Sequence, residues 1–469
     1  MQLKAIARLR AKAAAEWKES RLGIGFEKLD RGVFIPEKAY DKLAKIGVKW
    51  VRLQSGWART EKEPGVYSFE WLDSIVDNLI ERGMVPWMCL CYGNALYDDL
   101  AKPVFGAVGC VPIHTQEQRD AWSRYVTAVA AHFKGRVRHF EIWNEPDWCW
   151  KHGANATELG EFSIATAKAI RAGNPDAYVI GGSICGTLVG FLQEALDTGM
   201  GPYLDGISFH EYTYTEQNVM QKVRAIRGLC MMHGVSPDVI QGESGAQSRS
   251  DGHGALKDGA WTPRRQAKLL LRHLTVDLLS GVLFTSYFTC VDMIEALHGT
   301  VGDLATYLDY GYFGVLGADF DENGIATGDY TPKPSYYALQ NLAALMGGKT
   351  EQVDLPVVFL PEPAPRLGGL KTAASHEMLW GGFRLDNGAY ALAYWRPTEL
   401  MTSEYDGLVT MKIAVPGEMH LVDPMDGTVY DLLDVETDAH GTSDLHFLPL
   451  RDYPLFLTFG PLDIVRDAQ

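Results

Sequence analysis

The stretch HFEIWNE, residues 139–145, is a short, largely apolar run that stops at an asparagine and a glutamate. About a hundred residues later, DVIQGES at 238–244 repeats this arrangement, with Glu243 near its end. Both runs have the length and the β-branched or aromatic content that are typical of strands. They therefore predict two buried strands, each carrying a carboxyl group at its C-terminal end.

Six further strand-like runs have a comparable pattern, and stretches with helical periodicity separate them. They are RLGIGFE (21–27), VKWVRL (48–53), VPWMCLC (85–91), AYVIGGS (177–183), DGISFHEY (205–212) and VLFTSYF (282–288). One of the intervening helices is expected to begin after Thr115, which forms a capping-box pattern with Gln118. Eight strands alternating with helices predict an α/β protein with a (β/α)8 TIM barrel, and an open doubly wound sheet is the alternative.

The pattern changes after a last predicted helix at 335–348. The run WGGFRLDNGAYALAYW (380–395) has Asn387-Gly388 between two strand-like segments, and Asp426-Gly427 marks a second turn. We therefore predict an N-terminal helix at 1–20, a barrel at 21–349 and a β-sandwich-like accessory domain at 350–469. The proline-rich segment 360–369 is interpreted as a connecting loop.

Composition excludes several classes of partner. The formal charge of −16 repels polyanions, so no nucleic-acid partner is expected. There is no run of about 18 apolar residues and no signal-peptide core, which predicts no membrane partner and a cytoplasmic location, with a secreted mature form as the alternative. The seven cysteines have no framework spacing, and reduced thiols are expected.

Glu145 and Glu243 are the strongest candidates for chemistry. On the fourth and seventh strands of a barrel they would face each other across its mouth, where barrel enzymes place their active sites. Glycoside hydrolysis needs such a pair, with one carboxyl group donating a proton to the leaving oxygen and the other attacking or stabilising the sugar's reactive carbon.

No metal or cofactor is expected. The zinc-protease, nucleotide-loop and nucleophile-elbow motifs are absent, and among the histidines only His210 lies at a predicted strand end. The segment DFDENG (319–324) resembles the start of a calcium loop, but the position that needs a bidentate glutamate is Tyr330. A polar turn is the preferred interpretation of that segment.

IWNEPDW (142–148) together with IQGESG (240–245) resembles glycoside hydrolase clan A, whose members are (β/α)8 retaining glycosidases. Within the clan, the chain is most similar to family 39, the β-xylosidases and α-L-iduronidases, because SFHEYTY (208–214) supplies a His-x-Tyr at the sixth strand. The resemblance covers the whole barrel region. It implies that Glu145 is the general acid/base and Glu243 the nucleophile.

The resemblance also implies roles for four neighbouring residues. Asn144 would hydrogen-bond the sugar 2-hydroxyl, and Arg52 would orient Glu243. His210 and Tyr212 would line the same subsite. A 2-hydroxyl contact that strengthens as the sugar ring flattens favours the transition state over the substrate, which agrees with the role implied for Asn144.

One departure from the clan concerns the tryptophan that usually ends the eighth strand as a floor for the sugar. This chain has no tryptophan between Trp261 and Trp380, so Tyr287 or Phe288 is the expected substitute. Trp148, Trp261 and Asn94 are further candidates for lining the cleft.

The sequence thus predicts a retaining glycoside hydrolase acting by double displacement on a carbohydrate substrate, as an exo-acting β-xylosidase-like enzyme without a cofactor. Glucoside, arabinoside or uronide specificity within clan A is an alternative. A non-catalytic carbohydrate-binding protein on the same scaffold is another, and a metal-dependent isomerase is a third.

Overall fold

A computed structural model describes residues 1–102, 110–147, 154–185, 189–295, 309–360, 378–397, 399–400, 402–433 and 435–466. Its α-helices are α1 (Tyr40–Ile46), α2 (Trp57–Thr60), α3 (Glu70–Glu81), α4 (Gln116–His132), α5 (Ala156–Gly173), α6 (Val189–Asp197), α7 (Gln217–Met232), α8 (Pro263–Leu279) and α9 (Pro334–Met346). Single 3-10 turns lie at Ala14–Glu16, Leu29–Arg31, Pro36–Lys38, Asp99–Ala101 and Gly201–Tyr203.

Eight parallel strands close into a barrel, as predicted. In chain order they are β2 (Leu22–Gly25), β3 (Trp50–Gln54), β6 (Val85–Leu90), β7 (His139–Ile142), β8 (Tyr178–Cys185), β9 (Gly206–His210), β10 (Asp238–Ser244) and β11 (Thr285–Tyr287). The last strand pairs with the first, Thr285 opposite Leu22, so the sheet has no edge. The (β/α)8 prediction is confirmed, and the open-sheet alternative is wrong.

Local sequence explains where the helices of the barrel begin. Thr115 Oγ1 accepts a hydrogen bond from the Gln118 backbone N–H at 3.1 Å, and Gln118 Oε1 accepts one from the Thr115 N–H at 3.3 Å. This reciprocal pair satisfies two donors that the first turn of α4 leaves free. The predicted last helix is also present, as α9.

The C-terminal part of the chain is rich in β-structure, as predicted, and forms two antiparallel sheets. The larger has the order β16-β18-β19-β25-β21-β22-β1-β26, in which β1 is Leu3–Leu9, and the smaller has the order β17-β20-β24-β23. Their strands are β16 (Glu351–Val353), β17 (Val357–Leu360), β18 (Leu379–Arg384), β19 (Tyr390–Trp395), β20 (Gly407–Ile413), β21 (Met419–Asp423), β22 (Thr428–Leu432), β23 (Glu436–Thr437), β24 (Ser443–Leu450), β25 (Leu455–Phe459) and β26 (Ile464–Val465).

Contacts between the two sheets agree with a sandwich. Tyr394 of the larger sheet donates a hydrogen bond to the Pro449 carbonyl of the smaller sheet, and its ring lies 6.3 Å from that of Phe359. The Asn387-Gly388 turn joins β18 to β19, with Gly388 at a φ of 83°. Glycine adopts this left-handed conformation without steric cost, which is why the dipeptide indicates a hairpin.

The predicted N-terminal helix is wrong. Residues Leu3–Leu9 form strand β1, which pairs with β22 and β26 and joins the larger C-terminal sheet. Ala7 and Leu9 are buried, whereas Lys4 and Arg8 are exposed. Buried Ala7 and Leu9 on either side of exposed Arg8 have the period-two alternation of a strand, and a partner strand more than 400 residues away supplies the hydrogen bonds.

Short two-stranded ribbons complete the described structure, formed by β4 (Glu61–Glu63) with β5 (Val66–Tyr67), β12 (Met293–Ile294) with β13 (Tyr310–Gly311), and β14 (Leu316–Phe320) with β15 (Ala326–Pro332). The DFDENG segment ends β14 in a turn where Asp321 Oδ1 accepts backbone hydrogen bonds from Asn323 and Ile325. The connecting loop predicted at 360–369 lies outside the described residues from 361 onward, and the domain boundaries near 20 and 350 stay predictions.

Two further observations concern the cysteines and the helices. The cysteines in the described part of the chain are free thiols. Within the same residues, no helix is both long enough and apolar enough to cross a membrane.

Candidate active site

The two candidate glutamates lie together at the C-terminal end of the barrel. Glu243 is in β10, and Glu145 follows β7 by three residues. One carboxyl oxygen of each, with a ring nitrogen of His210, falls within a group whose atoms are all within 4.8 Å of one another. The fold therefore brings together two carboxyl groups that are 98 positions apart in sequence.

The backbone after β7 is bent to present this pair. Trp143 and Glu145 have φ angles of 61° and 51°, and the Glu145 N–H donates to the Ser183 carbonyl on β8 at 2.9 Å. A non-glycine residue in this left-handed region costs about 1 to 2 kcal/mol. Such strain persists where the surrounding structure imposes it, and it is common at functional sites.

Arg52, buried in β3, is the central cation. Its Nη1 donates to Glu243 Oε1, and its Nη2 donates to Asn144 Oδ1 at 2.8 Å. The other side of the guanidinium donates to Glu141 Oε2, from Nε at 2.8 Å and from Nη2 at 2.5 Å. Arg52 thus contacts both Glu243 and Asn144, and its role in orienting Glu243 stays a prediction.

His210 lies between the two candidate glutamates. It is the register neighbour of Glu243 on the adjacent strand, and its Nδ1 is 3.0 Å from Glu145 Oε1 and 3.8 Å from Glu243 Oε2. Burial lowers the pKa of His210, but the charge of Glu243 and the hydrogen bond with Glu145 outweigh it, so that the pKa is raised overall. A cationic ring next to the Glu243 carboxylate is thereby favoured.

Tyr212 provides the second hydrogen bond to Glu243. Its hydroxyl donates to Glu243 Oε2 at 2.9 Å, while Arg52 Nη1 donates to the other carboxyl oxygen, Oε1. Burial alone would raise the pKa of Glu243, but the positive charges of His210 and Arg52 and these hydrogen bonds lower it. Glu243 is therefore held as a carboxylate in a fixed orientation, which is the state that a nucleophile requires.

Several predicted cleft residues lie in packed positions instead. Asn94 is buried, donating to the Glu61 carbonyl and accepting from the Leu96 N–H, so it holds its own loop together. Trp261 is 4% exposed, stacks on Tyr214 and donates to the Leu256 carbonyl. Neither side chain has a contact with the two glutamates among the described residues. Trp148 lies outside the described residues.

The two aromatic candidates at the end of the eighth strand have different surroundings. Tyr287 is 1% exposed, and its hydroxyl faces the Ala246 carbonyl at 3.4 Å, so its ring belongs to the core. Phe288 lies next to Tyr212, with ring centroids 6.4 Å apart, and packs on Phe313. Of the two, Phe288 is the one adjacent to the site.

Three buried acidic residues near the site were not predicted from the sequence. Glu141 and Glu27 are fully buried around Arg52, and Glu295 pairs with Lys28 at 3.0 Å. The available signal was a charged residue inside or just after an apolar strand, because buried charges almost always have partners. That signal does not identify the partner, since the partners come from strands far apart in sequence.

The group of Glu145, His210 and Glu243 has the ligand types of a metal site. However, Glu243 is already engaged by the Arg52 guanidinium and the Tyr212 hydroxyl. A guanidinium at hydrogen-bond distance repels an incoming cation, so this donor set fits carboxylate chemistry better than metal binding. The expectation of no cofactor stays a prediction.

The fold defines a class of architecture, a closed (β/α)8 barrel with a C-terminal β-rich region, which the chain shares with a solved glycoside hydrolase.

Within that class, the chain resembles family 39: the model described as glycosyl hydrolases family 39 matches residues 42–232. The predicted resemblance is confirmed, and the glycosidase class predicted for the chain is the class of the proteins it matches.

Two curated relatives are β-xylosidases. That of Geobacillus stearothermophilus is 26% identical over 236 residues, 44% of this chain and 44% of the relative. That of Caldicellulosiruptor saccharolyticus is 27% identical over 188 residues, 36% of this chain and 37% of the relative. Each match spans less than half the length of the relative.

Solved structures share the fold over nearly the whole chain. A family 39 glycoside hydrolase from Bacteroides cellulosilyticus WH2 has a TM-score of 0.62 at 17% identity and covers 94% of this chain and 80% of its own. A monomeric β-xylosidase from Caulobacter crescentus CB15 has a TM-score of 0.59 at 16% identity, covering 96% and 97%.

Proposed function

We propose that the chain is a retaining glycosidase, with Glu243 as nucleophile and Glu145 as general acid/base. The observation that carries this proposal is the separation of their carboxyl groups, with one oxygen of each within 4.8 Å of the other. Retaining glycosidases hold their carboxyl groups about 5 to 5.5 Å apart, whereas inverting ones leave about 6.5 to 9.5 Å for a water. The short separation favours direct attack on the sugar.

In the first step, Glu243 attacks the anomeric carbon while Glu145 gives its proton to the leaving oxygen. The bond from the anomeric carbon to the leaving group breaks, and a glycosyl ester to Glu243 forms. Because His210 Nδ1 faces Glu145 Oε1 at 3.0 Å, the carboxylate that Glu145 becomes lies opposite a ring nitrogen able to donate to it.

In the second step, Glu145 takes a proton from water, and the resulting hydroxide attacks the anomeric carbon and releases Glu243. Arg52 and Tyr212 hold the departing carboxylate in place for the next cycle. Asn144, fixed by Arg52, keeps its amide nitrogen for the sugar 2-hydroxyl, a contact that strengthens as the ring flattens.

The expected substrate is a small glycoside, with β-xylosides first and arabinosides, glucosides and uronides as the alternatives. The two relatives named as β-xylosidases support this order. A panel of nitrophenyl glycosides tests it, and the anomer of the first product, followed by NMR, tests retention. A product of inverted configuration would refute the double-displacement mechanism.

The Glu243→Gln variant tests the nucleophile. Gln keeps the shape and loses the attacking carboxylate, so we expect kcat on an aryl β-xyloside to fall by about 10⁴-fold or more. The matched control is Glu37→Gln, an exposed glutamate of the same barrel, which should keep the activity of the parent chain. Turnover of Glu243→Gln close to that of the control would overturn the assignment.

For Glu145 the test is chemical rescue. Glu145→Ala is expected to lose about 10² to 10⁴-fold in activity on substrates with poor leaving groups. With an activated aryl glycoside, azide should restore turnover and yield the glycosyl azide with retained configuration. An undiminished rate without azide would count against Glu145.

Metal analysis of the purified protein separates this mechanism from that of a metal-dependent isomerase.

A further inference from the structure

Three buried carboxyl groups surround the single guanidinium of Arg52. Glu141 accepts two of its hydrogen bonds, and Glu243 accepts one from Nη1. The third, Glu27, has Oε1 at 3.6 Å from the same Nη1, which is beyond hydrogen-bond distance. Glu27, Glu141 and Arg52 have no exposed side-chain surface. Arg52 therefore donates hydrogen bonds to Glu141 and Glu243, whereas Glu27 lies too far from it for one.

This imbalance has an electrostatic consequence. An ionised carboxyl group that is taken out of water must be paired and hydrogen-bonded, or it takes up a proton instead. Within the described residues, Glu27 Oε1 has no hydrogen-bond partner, and Thr289 Oγ1 lies 3.2 Å from Oε2. Burial raises the pKa of Glu27 to about 7, opposed by the charge of Arg52 and assisted by that of Glu243.

Thr289 shows where the proton would lie. Its hydroxyl has one hydrogen, and the Gly25 carbonyl, at 3.0 Å, is nearer than Glu27 Oε2 at 3.2 Å. The hydroxyl hydrogen can go to Glu27 Oε2 or to the Gly25 carbonyl, and in the second arrangement Thr289 Oγ1 can only accept from Glu27. In that arrangement the contact is satisfied when Glu27 Oε2 carries a proton, and two acceptors face each other when it does not.

The backbone makes room for this carboxyl group. A Cβ atom on Gly25 would overlap the carboxyl group of Glu27, so glycine at this position allows Glu27 to turn back beneath the site. Besides Arg52 on β3 and Glu243 on β10, the ionisable group of the described residues facing Glu27 is the buried thiol of Cys290, just after β11. Of these three groups, only Arg52 is a cation.

We propose that Glu27 is a positioning residue held as the carboxylic acid, donating from Oε2 to Thr289, so that Arg52 remains available to Glu141 and Glu243. If Glu27 were ionised, it would compete with Glu243 for Arg52 Nη1 and loosen the nucleophile. The kinetic part of this inference rests on the proposed glycosidase function, whereas the protonation of Glu27 does not.

Infrared difference spectroscopy tests the protonation directly. The carbonyl stretch of a buried carboxylic acid is expected at pH 5.5, is lost as the pH rises through about 7, and is absent from Glu27→Gln. Asp277→Asn is the matched control, because burial raises the pKa of that distant acid to about 7 too, and this variant should keep the Glu27 band. Identical spectra for the parent chain and Glu27→Gln would overturn the proposal.

The hydrogen bond to Thr289 has its own test. Thr289→Val should move the Glu27 band to higher wavenumber, because the acid loses its acceptor, and Thr289→Ser should leave the band in place. A band that does not move in Thr289→Val would contradict the assigned donor direction. These variants change one hydroxyl, so they also cover the case in which Glu27→Gln fails to fold.

Thermal unfolding adds a test that is independent of activity. A carboxyl group whose pKa is raised in the folded state favours folding while it is protonated, and this contribution is lost as pH rises from about 4.5 through about 7. The Tm of the parent chain should therefore fall more between pH 5 and pH 8 than the Tm of Glu27→Gln. Parallel curves would count against a proton on Glu27.

The pH profile of activity tests the positioning role. The ratio of kcat/KM for Glu27→Gln to that of the parent chain should rise by about threefold or more from pH 6 to pH 8, since Gln never competes for Arg52. A flat ratio would refute the action through Arg52 even if the infrared band is present. Absence of activity on every glycoside in the parent chain would refute the proposed function, while the spectra would still decide whether Glu27 holds the proton.

Discussion

Two clusters of buried charge lie in different parts of the molecule and differ in how their charges are paired. The Arg52 cluster (Arg52, Glu27, Glu141, Glu243 and His210) is at the mouth of the barrel. The interface cluster (Lys268, Arg272, Glu216, Asp452 and Trp395) joins the barrel to the C-terminal β-rich region. In the interface cluster, Arg272 meets Glu216 with two bonds of 2.8 Å, and Lys268 meets Asp452 at 3.0 Å.

The two clusters differ in their charge balance. The interface cluster has two cations and two carboxylates in matched pairs, and Trp395 Nε1 adds a donor to Glu216 at 3.0 Å. The Arg52 cluster has three carboxyl groups around one guanidinium, and His210 is the other member of the cluster that can become cationic. Matched pairs hold two parts of the chain together, whereas unmatched carboxylates must share protons, which is what acid-base chemistry uses.

Removing Arg52 should have the largest effect. Arg52→Met leaves Glu27, Glu141 and Glu243 without their guanidinium, so we expect the free energy of unfolding to fall by about 3 to 5 kcal/mol. Activity should fall by about a hundredfold or more, because Glu243 loses a charge-assisted hydrogen bond that holds it in place. Urea unfolding and kinetics on an aryl β-xyloside measure the two effects. Arg52→Lys, which keeps the charge but not the fork of donors, should retain more stability than activity.

At the interface, Arg272→Met should cost stability without changing the pH profile of activity. The change leaves Glu216 buried beside Trp395 alone, and we expect a loss of about 3 to 5 kcal/mol in the free energy of unfolding. The double variant Arg272→Met/Glu216→Leu should be more stable than Arg272→Met, because no uncompensated charge remains. A shifted pH profile in Arg272→Met would show that the two clusters are coupled.

Tyr212→Phe should produce a smaller and more specific effect. The hydroxyl donates to the Glu243 carboxylate, and hydrogen bonds to charged groups contribute about 1.5 to 3 kcal/mol, so we expect kcat/KM to fall about 10 to 100-fold. Because that hydrogen bond lowers the pKa of Glu243, its removal raises this pKa, and the acidic limb of the pH profile should move to higher pH. An unmoved acidic limb would contradict this assignment.

The smallest expected effect is that of Trp395→Phe. It removes one neutral donor from Glu216 and keeps most of the buried ring, so the expected loss is about 1 to 2 kcal/mol in the free energy of unfolding. Trp380→Phe, on a neighbouring strand of the same sheet but 43% exposed, is the matched control and should change stability very little. Equal losses in the two variants would mean that the Glu216 contact contributes nothing measurable.

The barrel strands and the core of the site could be predicted from sequence because their signals are local. Each barrel strand is a short apolar run, and Glu145, Glu243, Arg52 and Tyr212 lie at or near the C-terminal ends of such runs, which a barrel brings to one face. Strand β1 was mispredicted because its pattern is weak over seven residues and its partner β22 is at the other end of the chain.

The aromatic candidates show the limit of this reasoning. Trp261 lies just before helix α8 and Tyr287 ends strand β11, yet both rings are buried in packed positions, and Phe288 is the one beside Tyr212. Successive residues of a strand point to opposite faces, so a shift of one position decides whether a ring faces the cleft or the core. Sequence spacing alone does not resolve that shift at an irregular strand end.

The amino-acid sequence by itself determined the barrel, its order of strands and helices, and the pairing of Glu145 with Glu243, because hydrophobic period and strand-end position are local properties. Only the tertiary structure decided how the buried charges are shared. Glu27, Glu141 and Glu243 come from β2, β7 and β10 or the residue positions just after them, and they converge on one arginine of β3. Coulomb interactions depend on distance in space, so the balance of charge around Arg52 is set by the closure of the barrel.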